Sequence, residues 1–276
     1  MILKNGAWQA EIRPEFGMNT VSLQYRGEEL LRRPESREVL EKNPFVYGFP
    51  LQLPANRTAD GCFRSGGKTY TLPINDPAHH CHIHGCLGRT PFQVVEAKEC
   101  SLRAVLENRG EVFPLPFRLE VCFRLENDGY HQEFTFRNTG EQRLPLSFGL
   151  HSTFRTPGFL AVDIGRKLCR DERLLPTGEF APHNAPDRAL KQGFDAGSHG
   201  WSDAYEMAGH TARLGDFLYR VSENFSHWMI WNPAPGNDFF CIEPQCGAAN
   251  ALQNGLGLQL LPPGESMTFQ ASLCRL

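Results

Sequence analysis

Strict alternation of apolar and polar residues marks the clearest element of the chain, between positions 117 and 138. From Phe117 to Leu125 every second residue is large and apolar, and charged or polar residues fill the gaps. A period of two indicates a β-strand with one buried and one solvated face. Asn127-Asp128-Gly129 supplies a turn, and Tyr130 to Phe136 returns as a second strand. The pattern therefore predicts a long antiparallel hairpin.

Shorter apolar runs, bounded by glycine, proline and polar residues, predict strands along most of the remaining chain. They lie at 2–12 with a turn at Asn5-Gly6, and at 21–25, 70–74, 92–96, 102–106, 160–164, 212–221, 227–231, 239–242 and 267–273. Only 37–43 suggests one or two helical turns, and the polar stretch 178–200 is predicted to be a long loop. No segment keeps a helical period of about 3.6 residues. We therefore expect an all-β protein, built as one large antiparallel β-sandwich without a domain boundary.

Composition supports this prediction and excludes several classes of protein. The 276 residues include 26 Gly, 20 Pro and 20 Phe, which argues against a helical bundle, a coiled coil or a disordered chain. Lys and Arg total 28 against 31 Asp and Glu, so there is no basic surplus for binding nucleic acid. No apolar run approaches the roughly 18 residues of a membrane-spanning helix. We expect neither nucleic acid nor membrane as a partner.

Cysteine spacing and the first residues bear on the compartment. The nine cysteines are an odd and irregularly spaced set, and Cys81–Cys86 and Cys241–Cys246 lack the two-residue gap of a zinc ribbon. Met1 to Gly6 shows no basic region followed by an apolar stretch. We therefore expect free thiols and a cytoplasmic protein.

A run of histidines at 79–84 raises the question of a metal site. Alternation along an extended segment would place His80, His82 and His84 on one side. The two-histidine metal motif of small β-barrels also needs a carboxylate that follows the second histidine after three or four intervening residues. After His84 the corresponding positions are Gly88 and Arg89, and neither is a carboxylate. We therefore expect no metal, and one functional histidine among surface histidines.

Glu243 and two histidines form a set suited to proton transfer. Glu243 follows the apolar run 239–242 and precedes Pro244, which we expect to end the strand. Burial there would raise its pKa toward neutrality and suit a general base, whereas the alternative is a structural ion pair. His151 follows the apolar stretch 145–150, and its alternative is a hydrogen-bonded core histidine. His84 precedes Gly85, which allows a close backbone approach, and its alternative is a loop histidine.

Several polar and aromatic side chains could hold a substrate rich in hydroxyl groups. Asn56-Arg57 follows an apolar stretch and offers a planar fork of donors, unless Arg57 is simply a surface residue. Asp203 could accept hydrogen bonds from hydroxyls. Trp201, Trp228 and Trp231 could stack on the apolar faces of a sugar. The chain has no nucleophile elbow, phosphate loop or dinucleotide motif.

Four blocks in order make the sequence resemble the aldose 1-epimerase, or galactose mutarotase-like, family. They are Asn56-Arg57 followed by Gly61-Cys-Phe63, Gly67–Leu72 and Asn75; Ile83-His84-Gly85; His151 with Phe154; and Ile242–Gln245 with Asn250-Ala251 and Pro263-Gly264-Glu265. The resemblance implies a single mutarotase-like β-sandwich domain over residues 1–276. It also implies an isomerase that interconverts the α and β anomers of a hexose or related sugar without a cofactor.

The resemblance also implies roles for the site residues. Glu243 is similar to the base that takes the proton of the anomeric hydroxyl, and His151 to the acid that protonates the ring oxygen. His84 would assist there, and Asn56, Arg57 and Asp203 would bind the sugar. A base and an acid on opposite sides of the reacting atoms would serve both ring opening and ring closure. A nearby Glu243 carboxylate would raise the pKa of His151.

Two other functions fit the same fold. One is a hexose-6-phosphate mutarotase, for which Arg57, Arg64 and Arg89 are the candidate phosphate ligands. The other is a carbohydrate-binding protein that lost the chemistry, although the presence of both histidines and Glu243 argues against it. A monomer and a homodimer are both compatible with the sequence.

Overall fold

Strands make up most of the regular structure in the computed structural model, which describes residues 1–276. The strands are β1 (Ile2–Asn5), β2 (Trp8–Arg13), β3 (Asn19–Tyr25), β4 (Glu28–Glu29), β5 (Leu51–Gln52), β6 (Arg57–Ala59), β7 (Cys62–Ser65), β8 (Lys68–Thr71), β9 (Cys81–Ile83), β10 (Gln93–Ala97), β11 (Ser101–Asn108), β12 (Phe117–Leu125), β13 (Gly129–Asn138), β14 (Leu144–Leu146), β15 (Gly149–Leu150), β16 (Ser152–Arg155), β17 (Leu160–Arg170), β18 (Pro176–Ala181), β19 (Ser202–Leu214), β20 (Phe217–Val221), β21 (His227–Trp231), β22 (Phe239–Gln245), β23 (Gln259–Leu261) and β24 (Ser266–Arg275). The helices are α1 (Arg37–Lys42), α2 (Ala185–Gln192) and α3 (Ala251–Asn254), with short 3₁₀ turns at Pro14–Phe16, Pro44–Val46, Pro77–His79, Leu87–Arg89 and Ala196–Ser198. The all-β prediction is confirmed.

Most strands belong to one antiparallel sheet of 14 strands. Its main path runs β10-β11-β12-β13-β24-β20-β19-β21-β22-β15-β5. Off this path, β16 pairs with β22, β17 pairs with β19, and β18 pairs with β17. A second sheet holds β1 to β4, and the pairs β14-β23, β6-β9 and β7-β8 complete the set. The central strands β21 and β22 and the short strands next to them carry the site described below.

The long hairpin predicted from alternation forms between β12 and β13. Its register runs from Phe117 opposite Asn138 to Leu125 opposite Tyr130, and its apolar positions are buried. They belong to a hydrophobic cluster of 53 buried residues. Phe148 lies at an aromatic centre of this cluster, with ring centroids 5.1 Å from Phe136 and 5.2 Å from Phe269. The second sheet closes over the same core, because Thr20 Oγ1 and Tyr130 Oη lie 2.6 Å apart.

The segment 178–200 is more ordered than the predicted loop. It contains the end of β18, helix α2 and a 3₁₀ turn. Asn184 caps α2 by accepting from the Asp187 backbone N–H at 2.9 Å, and the Asp187 carboxylate accepts from the Asn184 N–H at 2.8 Å. This reciprocal cap, followed by Pro186 in the first turn, is a local helix signal that the search for long periodicity missed.

Several predicted strand boundaries are wrong, and β17 and β19 are both longer than predicted, since β17 ends at Arg170 and β19 begins at Ser202. The segment 212–221 is two strands, because the turn at Gly215-Asp216 separates β19 from β20. The segment 70–74 ends as a strand at Thr71. Strand β22 continues through Pro244 instead of ending there. Pro244 pairs with Trp228 on one side and faces the interruption between β15 and β16 on the other, where no residue pairs with it, so a missing N–H is tolerated.

Candidate active site

Glu243 lies inside the large sheet with its carboxylate held by three side chains. Strand β22 is buried along its whole length, and Glu243 is only 2% exposed. Gln52 Nε2 and Gln245 Nε2 donate to Oε2 at 3.3 and 3.2 Å. The other oxygen, Oε1, lies 3.2 Å from His151 Nε2. A buried carboxylate with these partners is positioned rather than mobile.

His151 occupies the single-residue gap between β15 and β16. Its backbone N–H donates to Pro50 O at 2.9 Å, on the side away from β22. The register on β22 is the same on both sides of the gap, so His151 lies opposite Glu243 and its ring is on the same face of the sheet. The imidazole is almost fully buried, and its Nδ1 has no hydrogen-bond partner. The strand that leads to His151 thus places its ring at the wall of the cleft.

Burial shifts the pKa values of this pair in opposite directions. The pKa of Glu243 rises to about 8 and that of His151 falls to about 3, because removal from water disfavours the charged form of each group. The expectation that Glu243 would raise the pKa of His151 is wrong, because burial lowers the pKa of His151 and the Glu243 carboxyl, with its own pKa raised to about 8, is neutral at the lower pH where His151 titrates. Groups in contact titrate as a pair, so between these two values the pair holds one proton.

His84 reaches the same site from a tight turn after β9. Its φ of 64° and that of Gly85, 66°, are both left-handed. A Cβ on Gly85 would lie 1.8 Å from Leu53 O, so only glycine fits against the chain that leads to Asn56. The His84 ring stands edge-on to the His151 ring at 5.0 Å and lies 4.8 Å from Phe45. Burial, reinforced by His151, holds the pKa of His84 well below its usual value.

Asn56 and Arg57 line the wall of the cleft next to His84. The Asn56 carbonyl accepts the His84 N–H at 2.9 Å, and the Asn56 Oδ1 accepts the Arg57 N–H at 2.9 Å. Arg57 Nε donates to Asp76 Oδ2 at 2.8 Å, while its terminal Nη atoms make no hydrogen bond within the chain. Arg57 therefore retains donors for a ligand.

A cleft of about 600 Å³ opens above these groups. Its walls include all the predicted catalytic residues and both residues of the Asn-Arg block. Phe45 and Trp231 add aromatic surface, with ring centroids 6.3 and 6.4 Å from that of His151. The cleft thus combines a buried proton-transfer pair, polar donors and aromatic faces.

Other predicted binding residues lie outside the cleft. Asp203 does not line it, and its carboxylate pairs with Lys167 Nζ at 3.0 Å and Arg170 at 3.8 Å. Trp201 and Trp228 are not available for stacking on a sugar, because the packing of the sheets buries both in the core. Only Trp231 of the three tryptophans reaches the cleft.

The candidate phosphate ligands are also dispersed. Arg64 is exposed on β7 and does not line the cleft. Arg89 lines it, but its Nη1 and Nη2 donate to Glu41 O at 2.5 Å and Lys42 O at 3.3 Å near the end of α1. Arg57 is therefore the one member of this set that combines a place in the cleft with free donors.

The histidine run does not form a row on one strand face. His80 is exposed and has a left-handed backbone conformation, and its Nδ1 lies 3.0 Å from Asp60 Oδ1. His82 is buried in β9, with Nδ1 2.7 Å from Pro73 O. His84 lies in the following turn, so the three rings serve different surroundings.

Two groups of side chains each offer three possible metal-ligand atoms within 4.8 Å of one another. One is His151, Cys241 and Glu243 in the site, and the other is Asp128, His131 and Cys274 at the end of the long hairpin. Cys241 does not line the cleft, and its thiol lies 3.5 Å from Thr153 Oγ1. That the protein needs no metal stays a prediction.

Sequence reasoning missed several residues of the site. Gln245 lies within the glutamate block two residues after Glu243, a spacing that places both side chains on one face of a strand. Gln52, Asp76 and Phe45 carry no local signal, because long-range packing alone brings Asp76 and Phe45 to the cleft and Gln52 to Glu243 behind it. No helix has the length and apolar character needed to span a membrane.

Comparison with solved structures identifies the fold class. A galactose mutarotase-like protein from Clostridium acetobutylicum superposes with a TM-score of 0.90 at 25% identity, over 99% of this chain and 93% of that one. The galactose mutarotase-like sandwich that the sequence predicted is therefore confirmed.

Sequence comparison identifies the family. The family model described as aldose 1-epimerase matches residues 2–274, and the chain belongs to this family of isomerases. The galactose mutarotase of Sus scrofa is 29% identical over 179 residues, which is 60% of this chain and 51% of that protein. That of Mus musculus is 29% identical over 177 residues, 58% of this chain and 49% of that protein. The matches thus span about half the length of these curated relatives.

Proposed function

We propose that this chain is an aldose 1-epimerase that interconverts the α and β anomers of a free hexose or a related sugar. The observation that carries the proposal is the contact of 3.2 Å between Glu243 Oε1 and His151 Nε2 in the cleft. Ring opening takes a proton from the anomeric hydroxyl and delivers one to the ring oxygen. Both oxygens are bonded to the same carbon, so a base and an acid must be neighbours. This differs from the arrangement on opposite sides expected from the sequence.

The raised pKa of Glu243 keeps the single proton of the pair on its carboxyl, so this proton first crosses the contact of 3.2 Å to His151 Nε2, and each later step then balances. Glu243 Oε1 takes the proton of the anomeric hydroxyl as the carbonyl double bond forms. The bond between the anomeric carbon and the ring oxygen breaks, and its electron pair stays on the ring oxygen, which takes the proton from His151 Nε2. Rotation about the bond to the anomeric carbon exposes the other carbonyl face. The reverse transfers then close the ring as the other anomer.

The remaining cleft residues have supporting roles in this proposal. His84, next to His151, donates to or accepts from a neighbouring sugar oxygen. The free Nη atoms of Arg57 and the amide of Asn56 bind sugar hydroxyls. A hydroxyl without a hydrogen-bond partner costs more free energy in a cleft than in water. Trp231 and Phe45 offer surface to the apolar side of the sugar ring. Asp203 has no direct part in this proposal, because it lies outside the cleft and its carboxylate pairs with Lys167.

Polarimetry of freshly dissolved α-anomers tests the proposal. We expect the wild-type protein to accelerate the change of rotation, and Glu243→Gln or His151→Asn to lower kcat about 10²–10⁴-fold, as for loss of a general acid or base. Glu107→Gln, an exposed change on β11, is the matched control and should retain full activity. Wild-type rates equal to the spontaneous rate for every sugar would refute the proposal.

Parallel assays with hexose 6-phosphates decide between the two mutarotase functions. Free hexoses are favoured because Arg57 alone offers unengaged guanidinium donors in the cleft, whereas Arg89 is occupied by the carbonyls of Glu41 and Lys42. A rate with sugar phosphates that exceeds the rate with free sugars, and falls selectively in Arg57→Gln, would assign the phosphorylated substrate instead. Binding of sugars without acceleration of either class would indicate a carbohydrate-binding protein.

A further inference from the structure

The two glutamines that hold Glu243 stand behind it, away from the cleft. Gln52 and Gln245 are 0% and 2% exposed, and neither lines the cleft. Both donate to the same atom, Oε2. Since an ionised carboxylate oxygen accepts two hydrogen bonds readily, Oε2 is satisfied by the protein and Oε1 is left for His151 and the substrate.

The amide of Gln52 has only one possible orientation. Its Oε1 accepts the Asn56 backbone N–H at 3.1 Å, so its Nε2 must face Glu243. Asn56 in turn accepts the His84 N–H through its carbonyl and precedes Arg57. One glutamine therefore links the base to the turn that presents the sugar-binding residues.

Gln245 lacks that second connection. It lies two residues after Glu243 on β22, pairs in register with His227 and Gly149, and its amide donates to Oε2. Its contribution to the site is therefore confined to the carboxylate.

We propose that Gln52 and Gln245 are positioning residues that clamp Oε2 of Glu243, so that Oε1 alone transfers the proton, and that Gln52 also aligns the Asn56–Arg57 turn with the base. This inference rests on the proposed function of Glu243 as the base. The clamp favours the ionised carboxylate, because two amide donors replace part of the hydration that burial removes.

The two glutamines predict different kinetic signatures. Gln245→Met, which preserves volume and removes the donor, should lower kcat about tenfold at pH 7 and leave KM within about twofold, as for loss of one hydrogen bond to a charged group. Gln52→Met should lower kcat by a similar factor and also raise KM several-fold, because the Asn56 N–H loses its acceptor. In both variants the alkaline limb of the kcat profile should move upward by about one pH unit. Gln132→Met is the matched control, since Gln132 is a buried glutamine on β13 outside the cleft and should leave all three quantities unchanged.

A titration that does not depend on turnover separates the clamp from the proposed function. In protein labelled with ¹³C at the glutamate carboxyl carbons, the Glu243 resonance, assigned by its absence in Glu243→Gln, should titrate at higher pH in Gln245→Met than in wild type. A shift in this midpoint from a protein that catalyses no mutarotation would support the clamp and refute the function. Folded variants with wild-type kcat, KM and midpoint would overturn the clamp. If Gln52→Met fails to fold, Gln245→Met alone decides the question.

Discussion

At the scale of single residues, the site depends on how burial redistributes one proton. Glu243 and His151 would both be charged at neutral pH if each titrated normally beside the other. In the protein, loss of hydration makes the fully separated charges unfavourable, and the pair retains one proton over a wide range of pH. One proton is also the number that ring opening requires, once it has passed from Glu243, where the raised pKa holds it, to His151.

The shared proton predicts the pH dependence of the proposed reaction. We expect kcat/KM to stay level from pH 5 to 7 and to fall above about pH 8, as the pair loses its proton. Initial rates of mutarotation in buffers of constant ionic strength would measure this, after subtraction of the spontaneous rate. A limb near pH 6.5 would instead mean that a histidine titrates with its ordinary pKa.

The same pKa shift predicts a pH-dependent gain of stability in Glu243→Gln. The folded carboxyl has a raised pKa of about 8, so its favourable contribution is complete below about pH 4.5 and is lost as the pH rises to 8. His151 stays neutral above pH 6.5 in both states and adds no change there. The free energy of unfolding of the variant relative to wild type should therefore rise by about 2 kcal/mol between pH 6.5 and 9. Urea denaturation at both pH values measures it, and a constant difference would contradict the shift.

At the scale of elements, strand register and one irregular turn create the site. The pairs Gly149–Gln245 and Ser152–Ile242 share one register, so His151 lies opposite Glu243 and both side chains are on one face of the sheet. His84 differs, because it reaches the same site from a left-handed turn after β9. Regular strands thus place the proton-transfer pair, and an interruption of the strand pattern places the third side chain.

Helix α2 shows how an element outside the site can support its wall. Asp187 is fully buried, caps the helix, accepts from Tyr205 Oη at 2.6 Å and pairs with Lys167 Nζ at 3.1 Å. Lys167 also holds Asp203 next to Ser202, which lines the cleft. The capped helix is therefore joined to the edge of the cleft through one lysine.

Two substitutions separate the cap from the charge network. Asn184→Ala removes only the cap and should lower the free energy of unfolding by about 1 kcal/mol. Asp187→Ala also leaves Lys167 and Tyr205 without their buried partner and should cost about 3 kcal/mol. Urea denaturation followed by circular dichroism measures both. Equal losses would show that the buried network adds nothing to the cap.

At the scale of the whole molecule, the aromatic core joins the sheets that carry the site. Phe148 lies just before β15, and its ring contacts rings from β13 and β24, including Phe134, whose centroid is 5.3 Å away. The chain that leads to His151 is thus held by the same cluster that closes the sandwich. Core stability and active-site geometry are coupled in this region.

This coupling predicts a large effect of Phe148→Ala. Removing the fully buried ring should lower the free energy of unfolding by about 3–5 kcal/mol. Phe180→Ala is the matched control, because Phe180 is 38% exposed on β18 and its loss should change stability by about 0.5 kcal/mol or less. Thermal and chemical denaturation measure both variants. A small effect at Phe148 would mean that the core rearranges to fill the cavity.

The sequence was sufficient for features that rest on local periodicity. Alternation from Phe117 to Phe136 specifies strands whichever neighbours they find, since a residue's face depends only on its parity along the strand. Order along the chain was also enough to bring Asn56-Arg57, His84, His151 and Glu243 together as a set. Helix α2 is also a feature with a local signal, because Asn184 and Asp187 form a reciprocal N-terminal cap that is recognisable from their spacing.

Only the tertiary structure decided which side chains face the cleft and what surrounds them. Gln52 and Glu243 are separated by 191 positions, and their contact exists because β5, β15 and β22 lie side by side. Trp201 and Trp228 were equally plausible as sugar platforms until packing placed them in the core. The proton that Glu243 and His151 share likewise has no local signature. Hydration, which sets both pKa values, depends on every chain segment that excludes water from the site.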